Sequence, residues 1–193
     1  NLYGKRKMSY FPAFLKLDSK KVLLIGGGNI AYEKLRHLLD FTSDITVIAL
    51  EFSPNMQKLM EEKSIAFEKR GYSSGDIKNY AIVVIAIDDI ALQAQIFKES
   101  RAYNCLCNAV DSLDYCDFTF GSYIKKDDLL IAISTSGSSP ALAKQLKNYL
   151  QNLLPPNIGD FLKEMKNLRE SLPKGKERMQ YLSDKVKEYM QSW

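Results

Sequence analysis

A single histidine, His37, in a chain of 193 residues leaves little material for a histidine-based metal site. The three cysteines, Cys105, Cys107 and Cys116, form neither a Cys-x-x-Cys pair nor a Cys/His zinc spacing, so packing is the expected role of all four residues and no metal site is expected. An odd number of thiols suits free cysteines in a reducing compartment. No apolar run approaches the roughly 20 residues of a membrane span. No secretory leader is visible, so the expected location is the cytoplasm, with no membrane partner. The formal net charge of +4 is modest and its basic residues are spread out except near the ends. That balance suits an anionic small molecule and gives no reason to expect nucleic acid. The chain contains no internal repeat and no low-complexity segment, and its basic segment 1–7 is set aside from fold reasoning.

What is present is organised around Lys20 to Ala31, KKVLLIGGGNIA. The apolar run Val22 to Ile25 breaks at three glycines, and an amphipathic pattern then runs from Asn29 to about Phe41. This predicts strand, tight turn and helix. Gly26, Gly28 and Ala31 fit G-x-G-x-x-G/A, in which the first Gly permits the turn, the second lets backbone approach a pyrophosphate, and the small third residue lets helix pack on strand. A phosphate there meets the unpaired N–H groups of the helix N-terminus. Glycine turns of this kind also arise for steric reasons alone.

Further along, Asp44 to Leu50, DITVIAL, is rich in β-branched residues and reads as the second strand, and Glu51 ends it. Glu51 follows Gly28 by roughly the 20 residues at which an acidic side chain accepts hydrogen bonds from an adenosine ribose, which favours NAD over NADP. A solvated glutamate at a strand end is the plain alternative. Ser53 and Pro54 predict the N-cap and first position of a helix to Lys63, and Ile65 to Lys69 a short strand. Tyr80 to Ile87 is a continuous apolar run of the kind a parallel strand covered on both faces requires. Asp88 and Asp89 open a helix to about Tyr103, either as caps or, at a strand's carboxyl end, as lining of a cofactor cleft. Cys105 to Val110 reads as another strand with both cysteines on one face, and Asp111 at its carboxyl end.

After Asp111 the pattern changes. Asp117 to Ile124 and Leu129 to Thr135 are strand-like, with Lys125 to Asp128 as a charged hairpin turn. Ser139 and Pro140 then predict a helix stopped by Pro155 and Pro156, and two amphipathic segments, Gly159 to Ser171 and Lys176 to Gln191, follow. Ser9 to Leu17 reads as an extended apolar arm beside the first strand. The expected fold is α/β, a Rossmann-like doubly wound parallel sheet followed by a β-hairpin dimerisation segment and C-terminal helices. Its expected parts are an NAD-binding domain over 1–113, the hairpin and helix segment over 114–150, and a helical domain over 151–193. The open hairpin edge and the apolar stripes on the last helices favour a homodimer, although those helices can also fold back on their own subunit.

These residues resemble the precorrin-2 dehydrogenases of sirohaem biosynthesis, some of which are also sirohydrochlorin ferrochelatases. The resemblance covers roughly Phe11 to Leu154. It rests on FPAFLKL, LLIGGGNIAYEKLRHLL, DITVIAL, VIAIDD, the tetrad Asn108-Ala109-Val110-Asp111, and IAISTSGSSPALAKQL. It implies NAD binding by the glycine turn with Asn29, Ile30, Leu50 and Glu51, and it places Asp88 facing the cofactor. It links Asp111 to catalysis and implies a dimer built from the hairpin and helical part. Precorrin-2 loses a hydride to NAD⁺ and a proton to a base as it becomes sirohydrochlorin, and Asp111 is the candidate base. Ser134, in the loop ahead of a helix N-terminus, is a candidate contact for the substrate's carboxylates. Two departures bear on ferrochelation with Fe2+ as substrate: the chain has no Pro in Phe118-Thr119-Phe120-Gly121-Ser122, and Glu33 stands where the family commonly has Arg before Lys34.

Two rivals remain, a non-catalytic NAD-binding regulatory module and an S-adenosylmethionine methyltransferase, since a glycine turn with an acidic second-strand end suits that cofactor too. A short-chain dehydrogenase is disfavoured because its Tyr-x-x-x-Lys pair occurs here only as Tyr181 and Lys185, outside the sheet region. The dimer expectation predicts a light-scattering mass twice that of the 22.0 kDa chain; a 22.0 kDa species alone contradicts it.

Overall fold

Four apolar residues without a polar break form β1 (Val22–Ile25), and all four side chains are buried. In this computed structural model, which describes residues 10–193, the chain divides into two units, Tyr10–Thr119 and Phe120–Trp193. The first continues through α1 (Asn29–Leu39), β2 (Ile45–Ala49), α2 (Pro54–Glu62), β3 (Ala66–Lys69), β4 (Ile82–Ile85), α3 (Ile90–Ala102) and β5 (Leu106–Ala109). Its five strands are parallel in the order β3-β2-β1-β4-β5, so β1 pairs with β2 on one side and β4 on the other. The chain therefore runs outward from β1 to β3, then returns to start β4 beside β1. That reversal opens a crevice at the carboxyl ends of β1 and β4. Right-handed crossovers put α1 and α2 on one face and α3 on the other.

The caps follow the local chemistry. The Ser53 hydroxyl accepts from the Met56 N–H with Pro54 at the first position of α2, and the Asp89 carboxylate accepts from the Leu92 N–H to start α3. Cys105 and Cys107 are buried in the core beside Val83 and Ile85, and burial pushes their thiols up to about 11 and about 12. They are packing residues, as free thiols.

Three local expectations are corrected. Residues 10–17 do not form an arm packed beside β1: Phe11 is 87% and Phe14 70% exposed, because both edges of β1 are already paired. The first hairpin strand begins at Ser122, not at Asp117. The Asp117 carboxylate is taken by the Arg101 guanidinium and the Cys107 N–H, and Asp117 N–H donates to the Cys107 carbonyl at 2.7 Å. Residues 116–118 thus run along the outer edge of β5 and cover it. The hairpin turn is Asp127 and Asp128 alone, because Lys125 and Lys126 stay in the ladder opposite Leu130 and Leu129. The basic segment 1–7 lies outside the described residues.

The second unit holds β6 (Ser122–Lys126) and β7 (Leu129–Ile133) as an antiparallel hairpin, then α4 (Pro140–Leu153), α5 (Ile158–Ser171) and α6 (Lys176–Met190). Ser139 caps α4 as expected, its hydroxyl accepting from the Leu142 N–H. Phe161 of α5 stacks on Tyr189 of α6 at 3.9 Å between ring centroids, while Met179 and Met190 remain exposed. Among the described residues no helix is long and apolar enough to cross a membrane.

Asp117 carries an acid-stability consequence. Burial raises its pKa, but the Arg101 pair and the Cys107 N–H outweigh burial and hold it below the ordinary value. A depressed folded pKa contributes stability that is present above the unfolded value of about 3.9 and is lost as pH falls through the folded one. Asp117→Asn is therefore expected to flatten the fall of thermal midpoint below about pH 4; an unchanged slope in circular-dichroism melts contradicts this.

Candidate functional site

The glycine turn is built by exclusion. Gly26 has φ +128°, and a Cβ there would lie 2.2 Å from the Ala86 carbonyl oxygen at the end of β4. A Cβ on Gly27 would lie 2.0 Å from the Glu51 carbonyl oxygen at the end of β2. The turn is bolted to both neighbours: Gly26 N–H donates to the Ile48 carbonyl, Ser53 N–H to the Gly27 carbonyl, and Ala86 N–H to the Ile25 carbonyl, at 2.7–2.9 Å. Gly28 differs, because a Cβ on it would meet nothing within 4 Å and its φ of −83° is ordinary. Its place as N-cap of α1 carries no side-chain cap, and Ala31 is fully buried where α1 meets the sheet. The residues around Gly28 therefore leave an open cradle at a helix N-terminus, which fits a dinucleotide's phosphates.

The strand ends bring most of the expected residues to this turn. Asn29 and Ile30 form the first positions of α1, and the Ile30 side chain is 46% exposed. Leu50 and Glu51, both exposed, follow β2, with the Glu51 backbone against Gly27. A cleft of about 180 Å³ at the switch point is lined by Ile30, by Ala86 to Asp88 after β4, and by Val110 to Ser112 after β5. Asp88 and Asp111 thus share one cleft, whereas Asp89 is used as the cap of α3. Asp111 has φ +62°, the left-handed region that an aspartate tolerates and that gathers at functional sites. Ser134 lies in the second unit, after β7, where its hydroxyl accepts from the Ser136 N–H at 3.1 Å.

Two further residues, Gln93 and Ser112, carry no signal in the sequence, and Lys34 is marked there by its place after Glu33. Gln93 and Ser112 line the same cleft, and the Ser112 hydroxyl donates to the Gln93 side-chain oxygen. Lys34 lies on α1 one turn beyond Ile30. Burial lowers its pKa, while the Asp111 carboxylate and the Cys116 sulfur oppose that shift. The sequence signals it by the spacing of Ile30 and Lys34 on one helix face and by its place after Glu33, where the resembled family commonly has Arg-Lys. Among the described residues no group of three or more His, Cys, Asp or Glu converges as a metal site would.

Residues 13–122 match the family model described as "Putative NAD(P)-binding", and residues 126–153 match that described as "Sirohaem biosynthesis protein central". Curated relatives include a siroheme synthase of Pseudoalteromonas translucida, 33% identical over 92% of this chain and 37% of its own length. Another, from Methylococcus capsulatus, is 34% identical over 84% of this chain and 34% of its own length. The chain thus spans little more than a third of those relatives. A solved structure titled "SirC, precorrin-2 dehydrogenase" shares the fold with a TM-score of 0.75 at 24% identity, covering 91% of this chain and 88% of that one.

The glycines separate stability from binding. Gly27→Ala is expected to lower the thermal midpoint by the equivalent of about 3 kcal/mol, because a backbone oxygen must move. Gly28→Ala should melt like the parent yet weaken dinucleotide affinity about tenfold, or about 1.4 kcal/mol. Equal melting losses in the two variants contradict this assignment.

Proposed function

Because this chain belongs to that NAD(P)-binding family, we propose that it oxidises precorrin-2 to sirohydrochlorin with NAD⁺, within sirohaem biosynthesis. The observation that carries the reading is the single cleft that joins Ile30, Asp88 and Asp111 beside the glycine turn. The names of the relatives and the resemblance of the motifs support the choice of substrate. When bound, NAD⁺ supplies the hydride acceptor. The residues that would hold it are Gly26, Gly28, Asn29 and Ile30 at the phosphates, Leu50 and Glu51 at the adenosine end, and Asp88 at the cleft.

Asp111 accepts the proton that the substrate loses, as a carboxylate at a strand's carboxyl end facing the cleft. The half-buried Lys34 ammonium interacts electrostatically with the same carboxylate. Glu51 selects NAD over NADP by repelling a 2′-phosphate. Ser134 presents its hydroxyl to a substrate carboxylate from the loop before α4. A homodimer through the hairpin and helices, a cytoplasmic location, and an NAD-binding domain at 1–113 with the segments 114–150 and 151–193 behind it belong to the same reading. Insertion of Fe2+ into sirohydrochlorin, against which the departures at Phe118 to Ser122 and at Glu33 count, would use Asp111 as acceptor of the protons leaving the tetrapyrrole.

Anaerobic incubation with precorrin-2 and NAD⁺, followed by NADH and sirohydrochlorin absorbance and then by Fe2+ addition, tests both steps. NADH and sirohydrochlorin form together if the reading is right; NAD⁺ binding without turnover favours a regulatory module. Asp111→Ala is expected to lower the rate about 10²- to 10⁴-fold with NAD⁺ affinity retained, the range of a lost acid–base group. A retained rate removes Asp111 from the chemistry.

A further inference from the structure

Gln93 is only 3% exposed, an unusual place for a long polar side chain unless its amide is satisfied. It is: Nε2 donates to the Ile87 carbonyl at 2.7 Å, and Oε1 accepts from the Ser112 hydroxyl. Each bond reaches a residue next to an acid of the cleft, Ile87 beside Asp88 and Ser112 beside Asp111. α3 does not need Gln93 for its start, because Asp89 caps it. The sheet does not need it either. β4 and β5 are held in register from Ile82↔Leu106 to Ile85↔Ala109, and the Val110 N–H to Ile85 carbonyl bond of 2.9 Å comes last along this direction. The Gln93 amide spans the two segments just past that point.

Ser112 is fixed from its other side as well. Its carbonyl accepts from the Tyr115 N–H at 2.9 Å. Asp111, between Val110 and Ser112, holds a left-handed backbone that surrounding bonds must maintain. We propose that Gln93 is a positioning residue whose amide clamps the Ile87 carbonyl and the Ser112 hydroxyl, and so sets Asp111 against Asp88 across the cleft. This rests on the reading of Asp111 as the base. An apolar residue of the same size would fill the space but leave the two loops unlinked.

The test compares Gln93→Leu, Ser112→Ala, Ser112→Thr and the Gln93→Leu/Ser112→Ala double variant, with anaerobic precorrin-2 turnover, NAD⁺ titration and thermal melts. Gln93→Leu and Ser112→Ala should each lower kcat by about 10- to 100-fold, the scale of a misplaced catalytic group, with KM little changed. The double variant should be no slower than Gln93→Leu alone, and Ser112→Thr, which keeps the hydroxyl, should restore the rate. Full kcat in Gln93→Leu, or losses that multiply in the double variant, overturn the clamp. If Gln93→Leu fails to fold, Ser112→Ala against Ser112→Thr carries the same decision. If the parent protein turns over no precorrin-2, the dehydrogenase reading falls. The clamp is then judged by hydrogen exchange over residues 109–113: equal acceleration in Gln93→Leu and Ser112→Ala supports it, and unchanged exchange overturns it.

Discussion

The absence of room for a Cβ at Gly26 and Gly27 is the constraint on which the site depends. Two carbonyl oxygens, of Ala86 and Glu51, sit where those side chains would begin. The turn can therefore lie between the ends of β2 and β4 and be hydrogen-bonded to both. The close approach is held by the strands below it, where Val22, Leu23, Leu24 and Ile25 have neighbours on every side. Each such side chain contributes about 1.5–3 kcal/mol on burial, so the sheet fixes the turn rather than the reverse. Gly28, next along, is the one glycine of the three left open, and the open side is the N-terminal end of α1.

That geometry divides the labour among the acids. Asp89 is consumed by capping α3, Asp117 by Arg101 and the Cys107 N–H, and Asp76 by Arg70 and the Ser73 N–H. Asp88 and Asp111 instead face the cleft at the switch point, where ligands of open α/β sheets bind. The Lys34 ammonium interacts electrostatically with Asp111. The proposed base is thus a carboxylate that lines the cleft at the switch point and interacts with a half-buried ammonium.

Much of this was legible because it is local. A strand, three glycines and an amphipathic helix are adjacent in the chain, and Ser53-Pro54 and Ser139-Pro140 announce helix starts within two residues. What escaped was non-local or disguised. Gln93 and Ser112 read as an ordinary helix residue and an ordinary loop residue, since their bond joins segments 19 positions apart. Asp117 begins an alternating pattern with Phe118 and Phe120 that reads as strand, and only its distant partner Arg101 reveals a different role. Lys125 and Lys126 look like turn residues by charge, yet a hairpin edge exposed to water accommodates lysines within the ladder. The segment around Phe11 and Phe14 has the composition of a buried arm, whereas the sheet offers β1 no vacant edge.

The proposed function places cofactor and base in one cleft at the carboxyl ends of β1, β4 and β5. Hydrogen–deuterium exchange with and without saturating NAD⁺ addresses it most directly. Slowed exchange is expected over residues 26–32, 86–90 and 109–113 together, with the exposed edge strand 66–69 unchanged. Protection confined to other segments, or none at residues 109–113, would contradict it.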